Sequence, residues 1–458
     1  MIQCFSPIDG ALVAERPEAN WPVVDALLDR SVQAFRHWQK VPLEERIEMC
    51  RRFVACFTSK KGEIAREITV QMGRPIRYAA GEIRGFEDRA NGMLAIAEQA
   101  LSPIVPEPVE GFERWIQREP VGPVLVLAAW NYPYLIAVNT LIPALVAGNV
   151  VLLKHADQTL LCAERLADAA REAGLPGGVF QIVHMNHDVA AQAVADPRVQ
   201  FVAFTGSVSG GQAVHRAAAG TLTPVGFELG GKDPAYVFDP KDLQWVAENL
   251  VEGAFFNSGQ SCCGVERIYV HQDIYASFIE HVVDAARPWV LGNPLETATT
   301  LGPVVRPDHA RFIRSHVDEA IRMGARPLLA EPSFSGLGPS YLPPQILVNV
   351  DHSMRLMREE TFGPVVGIMS VKDDAEALSL MNDSPFGLTA SLWTQDVSRA
   401  KALASGLQTG TVFLNRCDYL DPQLAWVGAK LSGPGCTLSS VGYEHLTRPK
   451  SFHFRLGV

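Results

Sequence analysis

Cysteine is scarce: 458 residues hold eight, at positions 4, 50, 56, 162, 262, 263, 417 and 436. That density is far below that of a disulfide scaffold, and the short paired spacings that chelate zinc are missing, so a reducing, cytoplasmic setting without a metal site is expected. Basic runs are missing too. A formal charge of −10, with no cluster of the kind that tracks phosphates, argues against nucleic acid and anionic membranes and for a small-molecule partner. The N-terminus lacks a basic segment followed by an apolar core and a small-residue cleavage site, so no signal peptide is expected. An unbroken apolar span is also lacking. The nearest approach, Tyr134 to Leu153, is interrupted by Asn139, Pro143 and the Gly148-Asn149 turn, and reads as a buried helix, a turn and a buried strand.

What is present is the composition of an ordinary globular chain, 47% apolar and 20% charged, too long for a single core. The first hundred residues carry helical periodicity and predict a helical layer with its polar face outward. From Val121 short β-branched runs ("VGPVLVLAA", "NVVLLK", "GVFQIV", "VQFVAFTG") alternate with helical segments, which predicts an α/β fold with a parallel, doubly wound sheet. A second such series after Gly231 predicts a second α/β domain. Two strand-like stretches, around Arg114–Arg118 and Phe452–Arg455, lie apart from both series and are expected to pair with each other or with another subunit.

Four segments place unusual residues where such a sheet binds ligands, at the carboxyl ends of its strands. Asn131 follows the strand Val124–Ala128 and is either a turn former or an amide donor for a developing oxyanion. Gly206 and Gly211 in "FTGSVSGG" suit a backbone turn meeting a phosphate at a helix N-terminus, or a plain tight turn. Glu228 stands in an apolar run before two glycines, as a buried general base or as the exposed end of a strand. In "FFNSGQSCCGV", Cys262 or Cys263 is either core or a nucleophile; neighbouring thiols would strain a disulfide ring, and metal ligands are absent nearby.

Taken in order, "PVGPVLVLAAWNYP", "LIPALVAGNVVLLKHADQT", "FTGSVSGG", "FELGGKDP", "FFNSGQSCC", "EETFGPVV", "NDSPFGLTASLWT" and "GAKLSGPG" resemble the NAD(P)-dependent aldehyde dehydrogenase superfamily along almost the whole chain. The resemblance implies a Rossmann-type NAD-binding domain (1–102 and 121–227), a catalytic domain (228–430) and a small β oligomerisation arm (103–120 and 431–458), hence a homodimer or homotetramer. It implies Cys262 as the catalytic thiol, Glu228 as the base and Asn131 as the oxyanion donor. Lys154 and Asp157 would meet the adenosine ribose, Gly206, Ser207 and Gly211 the pyrophosphate, and Glu360 and Phe362 the nicotinamide ribose and ring, with Trp130 on the cofactor side. An acidic Asp157 favours NAD with NADP tolerated, and His155 replaces a proline common in the family.

The implied reaction is oxidation of an aldehyde to the carboxylic acid through a thiohemiacetal and a thioester on Cys262. Tyr132, Phe256, Cys263 and Trp426, with Ile136 and Asn139 deeper, would line an aromatic-walled tunnel suited to apolar or aromatic aldehydes. Arg416 is either a solvated arginine or an anchor for a carboxylate tail such as that of succinate semialdehyde. A non-catalytic role on the same scaffold would require loss of Cys262, Glu228 or Asn131, and all three are present.

Overall fold

The computed structural model describes residues 1–330 and 337–457. Apolar runs that are continuous rather than alternating need cover on both faces, and the strands built from them form two largely parallel sheets flanked by helices. The first has five parallel strands, in the order Phe180–Ile182, Val150–His155, Pro123–Ala128, Phe201–Thr205 and Val225–Glu228. The order runs outward both ways from Pro123–Ala128, so the crevice at the switch point opens between the ends of Pro123–Ala128 and Phe201–Thr205. Trp130 and Asn131 follow the first of these strands, and Gly206 and Ser207 follow the second.

The second sheet has seven strands, in the order Arg326–Pro327, Gln345–Val348, Val365–Val371, Val265–His271, Asp233–Val237, Thr389–Trp393 and Thr411–Leu414, parallel except for the first pair. Its helices Leu243–Phe255, Gln272–Ala286 and Pro307–Arg322 fall where their periodicity places them. The apolar span resolves into the buried helix Pro133–Ala147, a left-handed Gly148 and the strand Val150–His155. Asn149 fixes this turn, accepting from the Gly122 amide at 2.9 Å and donating to the Leu446 carbonyl at 2.8 Å. Among the described residues no helix is long and apolar enough to cross a membrane.

The strand Gln345–Val348 and the helices Asp374–Asn382 and Val397–Ala404 were not marked in the sequence, and three further features depart from its reading. Residues 2–16 form a hairpin, Ile2–Phe5 against Leu12–Arg16, which their short length conceals. The second helical run breaks into Leu43–Thr58 and Lys61–Met72. The helical layer also does more than present a polar face to solvent: Ile76–Leu101 buries Ala79, Glu82, Ile83, Phe86 and Ala90 on one stripe, and the glutamate among them bears on the site below.

The strands Phe112–Pro120 and Thr447–Arg455 pair with each other, antiparallel over nine residues, with Trp115 stacked on Phe452 at 4.4 Å. Before entering this ribbon the chain packs on the main body, where Leu438, Tyr443 and Leu446 are buried and the Tyr443 hydroxyl donates to the Met93 carbonyl at 2.9 Å.

Candidate active site

The stretch that raises the cysteine question leaves the helix Leu243–Phe255 through three successive left-handed residues, Asn257, Ser258 and Gly259 (φ 56°, 58° and 68°). Two non-glycine residues in that region are strained, and such strain persists only where surrounding contacts impose it. Here they do. The Asn257 amide donates to the carbonyls of Asn131 and Gln260, both at 3.1 Å, and its oxygen accepts from Arg74 Nε at 2.9 Å. Ser258 Oγ donates to the Gly302 carbonyl at 2.9 Å. A side chain at Gly259 would place its Cβ 2.0 Å from the Gly363 carbonyl, so the glycine allows two loops to touch.

The two cysteines that follow are separated by their surroundings. Cys262 is half-buried and lines a cavity of about 310 Å³. Cys263 is 3% exposed, and its Sγ donates to Asp418 Oδ1 at 2.9 Å beside a Ser261 hydroxyl that donates to the same oxygen at 3.1 Å. Contact with Cys262, burial and the Asp418 carboxylate hold the Cys263 thiol well above its ordinary value. Both thiols line the cavity, but Cys263 is tied to Asp418 and held protonated, whereas Cys262 is the more exposed of the two.

Asn131 reaches the same cavity with one amide proton donated to the Gln260 carbonyl at 3.2 Å, which leaves the other N–H free. Its own carbonyl accepts from Arg74 Nη2 at 2.6 Å. Arg74 forms a buried ion pair with Glu82, whose other oxygen accepts from the Tyr134 amide at 2.7 Å at the start of the helix Pro133–Ala147. A carboxylate at a helix N-terminus is favourable. Sequence reasoning missed this pair; the signal was a glutamate on the core stripe of an amphipathic helix.

Glu228 ends the strand Val225–Glu228, half-buried, and also lines the cavity. Its side chain accepts from Thr437 Oγ1 at 2.5 Å, with Asn139 and Thr205 beside it in the cavity wall. Burial raises its pKa, while Thr437, the Arg89 guanidinium, Thr205 and Asn139 pull it back. The aromatic residues Tyr132, Phe256 and Trp426 line this cavity, as do Ile136 and Asn139. Arg416 does not. It is exposed, with its guanidinium 3.4 Å above the Tyr419 ring, outside this cavity's lining. The arginines lining it are Arg74 and Arg89, and with Arg74 paired to Glu82, Arg89 is the cation left to face the cavity. Asp418, two residues beyond Arg416, also lines it, although the segment 415–426 gave no such indication in sequence.

On the other side of Cys262, Glu360 Oε1 accepts from the Gly231 amide at 2.9 Å, and burial with help from Glu266 pushes its carboxyl up to about 8. Phe362 stands edge-on to Trp130, centroids 5.8 Å apart. Ser207 caps the helix Val208–Ala218 by accepting from the Gly210 amide at 3.1 Å; Gly206 donates to the Glu228 carbonyl at 3.1 Å, and a Cβ on Gly211 would meet Leu229 at 2.8 Å. Lys154 is paired with Asp157 at 3.0 Å. His155 is buried and neutral, its pKa lowered to about 4 chiefly by burial; its Nδ1 accepts from the Ala156 amide, so Nε2 donates to the Pro133 carbonyl at 2.9 Å. Among the described residues no cluster of His, Cys, Asp or Glu is placed to hold a metal ion.

The aldehyde dehydrogenase family model matches residues 1–452. The succinate semialdehyde dehydrogenase [NAD(P)+] Sad of Escherichia coli (strain K12) is 34% identical, over 96% of this chain and 94% of the relative. A peroxisomal aminoaldehyde dehydrogenase of Malus domestica is 33% identical, over 97% and 90%. Among solved structures, an NAD-dependent aldehyde dehydrogenase from Sinorhizobium meliloti superimposes with a TM-score of 0.96 at 33% identity, over 100% of this chain and 92% of that one. The chain belongs to the aldehyde dehydrogenase family and is an NAD(P)-dependent aldehyde oxidoreductase.

Proposed function

We propose that the cavity oxidises an aldehyde with an apolar or aromatic tail to its carboxylic acid. The observation that carries this reading is the convergence of Cys262, Asn131 and Glu228 on one cavity walled by Tyr132, Phe256 and Trp426. The Cys262 thiolate attacks the carbonyl carbon, forming a carbon–sulfur bond, and the resulting oxyanion takes the free Asn131 N–H and a main-chain N–H near Cys262. Glu228, its pKa raised by burial, then removes a proton from water as the water attacks the thioester; the acid leaves and Cys262 is regenerated. A carboxylate at 228 favours this hydrolysis over acyl transfer to a second thiol.

The residues on the other side of Cys262 fit a nicotinamide dinucleotide, which supplies hydride acceptance when bound. The capped helix start at Ser207, with Gly206 and Gly211, suits a pyrophosphate. Lys154 and Asp157 would hold the adenosine ribose, Glu360 the nicotinamide ribose, and Phe362 with Trp130 the ring. The Asp157 carboxylate opposes a 2′-phosphate, so NAD is preferred; a larger kcat/KM with NADP would overturn that preference. Apart from isolated bridges such as that between Ile104 and Ile116, the ribbon 112–120/447–455 pairs with no further strand among the described residues, which supports its burial in a homodimer or homotetramer. The eight free cysteines accord with a reducing, cytoplasmic setting.

A second reading, a carboxylate-bearing aldehyde such as succinate semialdehyde, is favoured by Arg89 in the cavity wall. The deciding experiment is cofactor reduction with a panel of aldehydes, for the wild type and for Cys262→Ala. Turnover of phenyl and medium-chain aldehydes, lost in the variant, supports the first reading. A sharp preference for succinate semialdehyde supports the second, and turnover surviving in Cys262→Ala overturns the role of that thiol.

A further inference from the structure

We propose that Arg89 and Asn139 form a positioning relay for Glu228. Arg89 Nη1, from the helix Ile76–Leu101, donates to Asn139 Oδ1 at 3.1 Å and to the Leu135 carbonyl at 3.0 Å. A side-chain amide has one acceptor and one donor end. With its oxygen occupied by a guanidinium, the Asn139 side chain can meet the Glu228 carboxylate only through its N–H₂, and Asn139 and Glu228 line the same cavity. Asn139 is 3% exposed, and what it exposes faces the cavity it shares with Glu228. Thr437 Oγ1 donates to the same carboxylate from the strand Cys436–Thr437, and Thr205 stands opposite Glu228 at the end of the neighbouring strand. The charged and titratable groups around Glu228 are Arg89, Cys436 and His445, with Cys262, Cys263 and Asp418 across the cavity. Arg89 is the cation among them.

The consequence is specific to the hydrolytic half of the reaction. Arg89 and Asn139 both favour the ionised form of Glu228, so removing either moves its titration upward. The inference rests on Glu228 acting as the base for Cys262, and its test must tell the two apart. Hydrolysis of p-nitrophenyl acetate by the enzyme without cofactor serves this purpose: the burst of nitrophenolate reads acylation of Cys262, and the steady phase reads Glu228-assisted release of acetate. Arg89→Met and Asn139→Ala should keep the burst amplitude, slow the steady phase roughly tenfold, and raise its pH midpoint. The double variant should be no slower than the worse single one, and Arg89→Lys should partly restore the midpoint.

A slowed burst with an unmoved midpoint would make Arg89 a support for the helix Pro133–Ala147 and overturn the relay. So would a higher KM confined to carboxylate-bearing aldehydes in Arg89→Met, which would make it a substrate contact. Additive losses in the double variant would have the same force. Glu228→Gln run alongside separates the premises: a steady phase unchanged in that variant defeats the assignment of the base itself.

Discussion

Cys262 has two sides, and they are built by different means. Toward the proposed nicotinamide site the structure is a seam of main chains. A Cβ on Gly231 would lie 2.1 Å from the Cys262 carbonyl, one on Gly230 would lie 2.4 Å from the Glu360 carboxylate, and one on Gly259 would strike Gly363. The loop across the seam is held by the Glu266 carboxylate, which accepts from the amides of Thr361 and Phe362, both at 2.8 Å, and pairs with the buried Lys232. Toward the aldehyde cavity the supports are side chains from distant parts of the chain: Arg74 on Glu82, Arg89 on Asn139, and Asp418 on Ser261 and Cys263. Main chains in contact leave only glycine admissible, whereas paired charges leave the partner free to come from anywhere in the sequence.

The largest break in this contrast should come from the cavity side. Arg74→Met leaves the Glu82 carboxylate buried without its cation and removes a donor from the Asn131 carbonyl, a loss of about 3–5 kcal/mol. Thermal unfolding should show it, together with loss of aldehyde oxidation. A melting temperature within about 2 °C of the wild type would mean that the ion pair does not hold that wall.

The seam is tested by Gly259→Ala, which adds one methyl where a left-handed backbone and a carbonyl 2.0 Å away both oppose it. Strain and overpacking together cost about 3 kcal/mol, read as a lower denaturant midpoint with an unchanged slope. Wild-type stability in this variant would show that the two loops can separate without penalty.

The same contrast explains what was legible in the sequence. Glycines beside polar residues at strand ends mark close main-chain approaches, so Gly206, Gly211 and Glu228 could be singled out from their segments, and the order of motifs added Glu360 and Phe362. Most of both sheets could be read because buried parallel strands are continuous apolar runs, whereas the four-residue strand Gln345–Val348 was too short to stand out. Arg89 could not be read, because an arginine on an amphipathic helix looks solvated until the opposing helix is known. Arg416 was the visible candidate for a cation near the substrate, and it stacks outside on Tyr419 because Asn415 and Asp418, both left-handed, turn the chain so that Asp418 rather than Arg416 lines the cavity. The Arg74–Glu82 pair is eight residues apart in sequence, across a turn, and meets only because Gly73 ends one helix and Pro75 begins the next.

The last expected effect is read as a dependence on pH and belongs to Glu360, where the seam meets a titratable group. Its carboxyl is pushed from an ordinary value of 4.5 up to about 8, by burial first and by Glu266 second, against the pull of the Gly231 amide and Lys232. A folded value above the unfolded one means that the native state binds this proton more tightly. The associated stability is therefore fully present below about pH 4.5 and is lost progressively as the pH rises to about 8, beyond which no more is lost. Glu360→Gln keeps the shape of the carboxyl and removes the titration. The variant should accordingly match the wild type near pH 5 and gain on it steadily up to pH 8, in unfolding experiments without cofactor. Parallel stability curves across that window would mean that Glu360 titrates alike in the folded and unfolded chain, and that burial in the seam does not hold its proton.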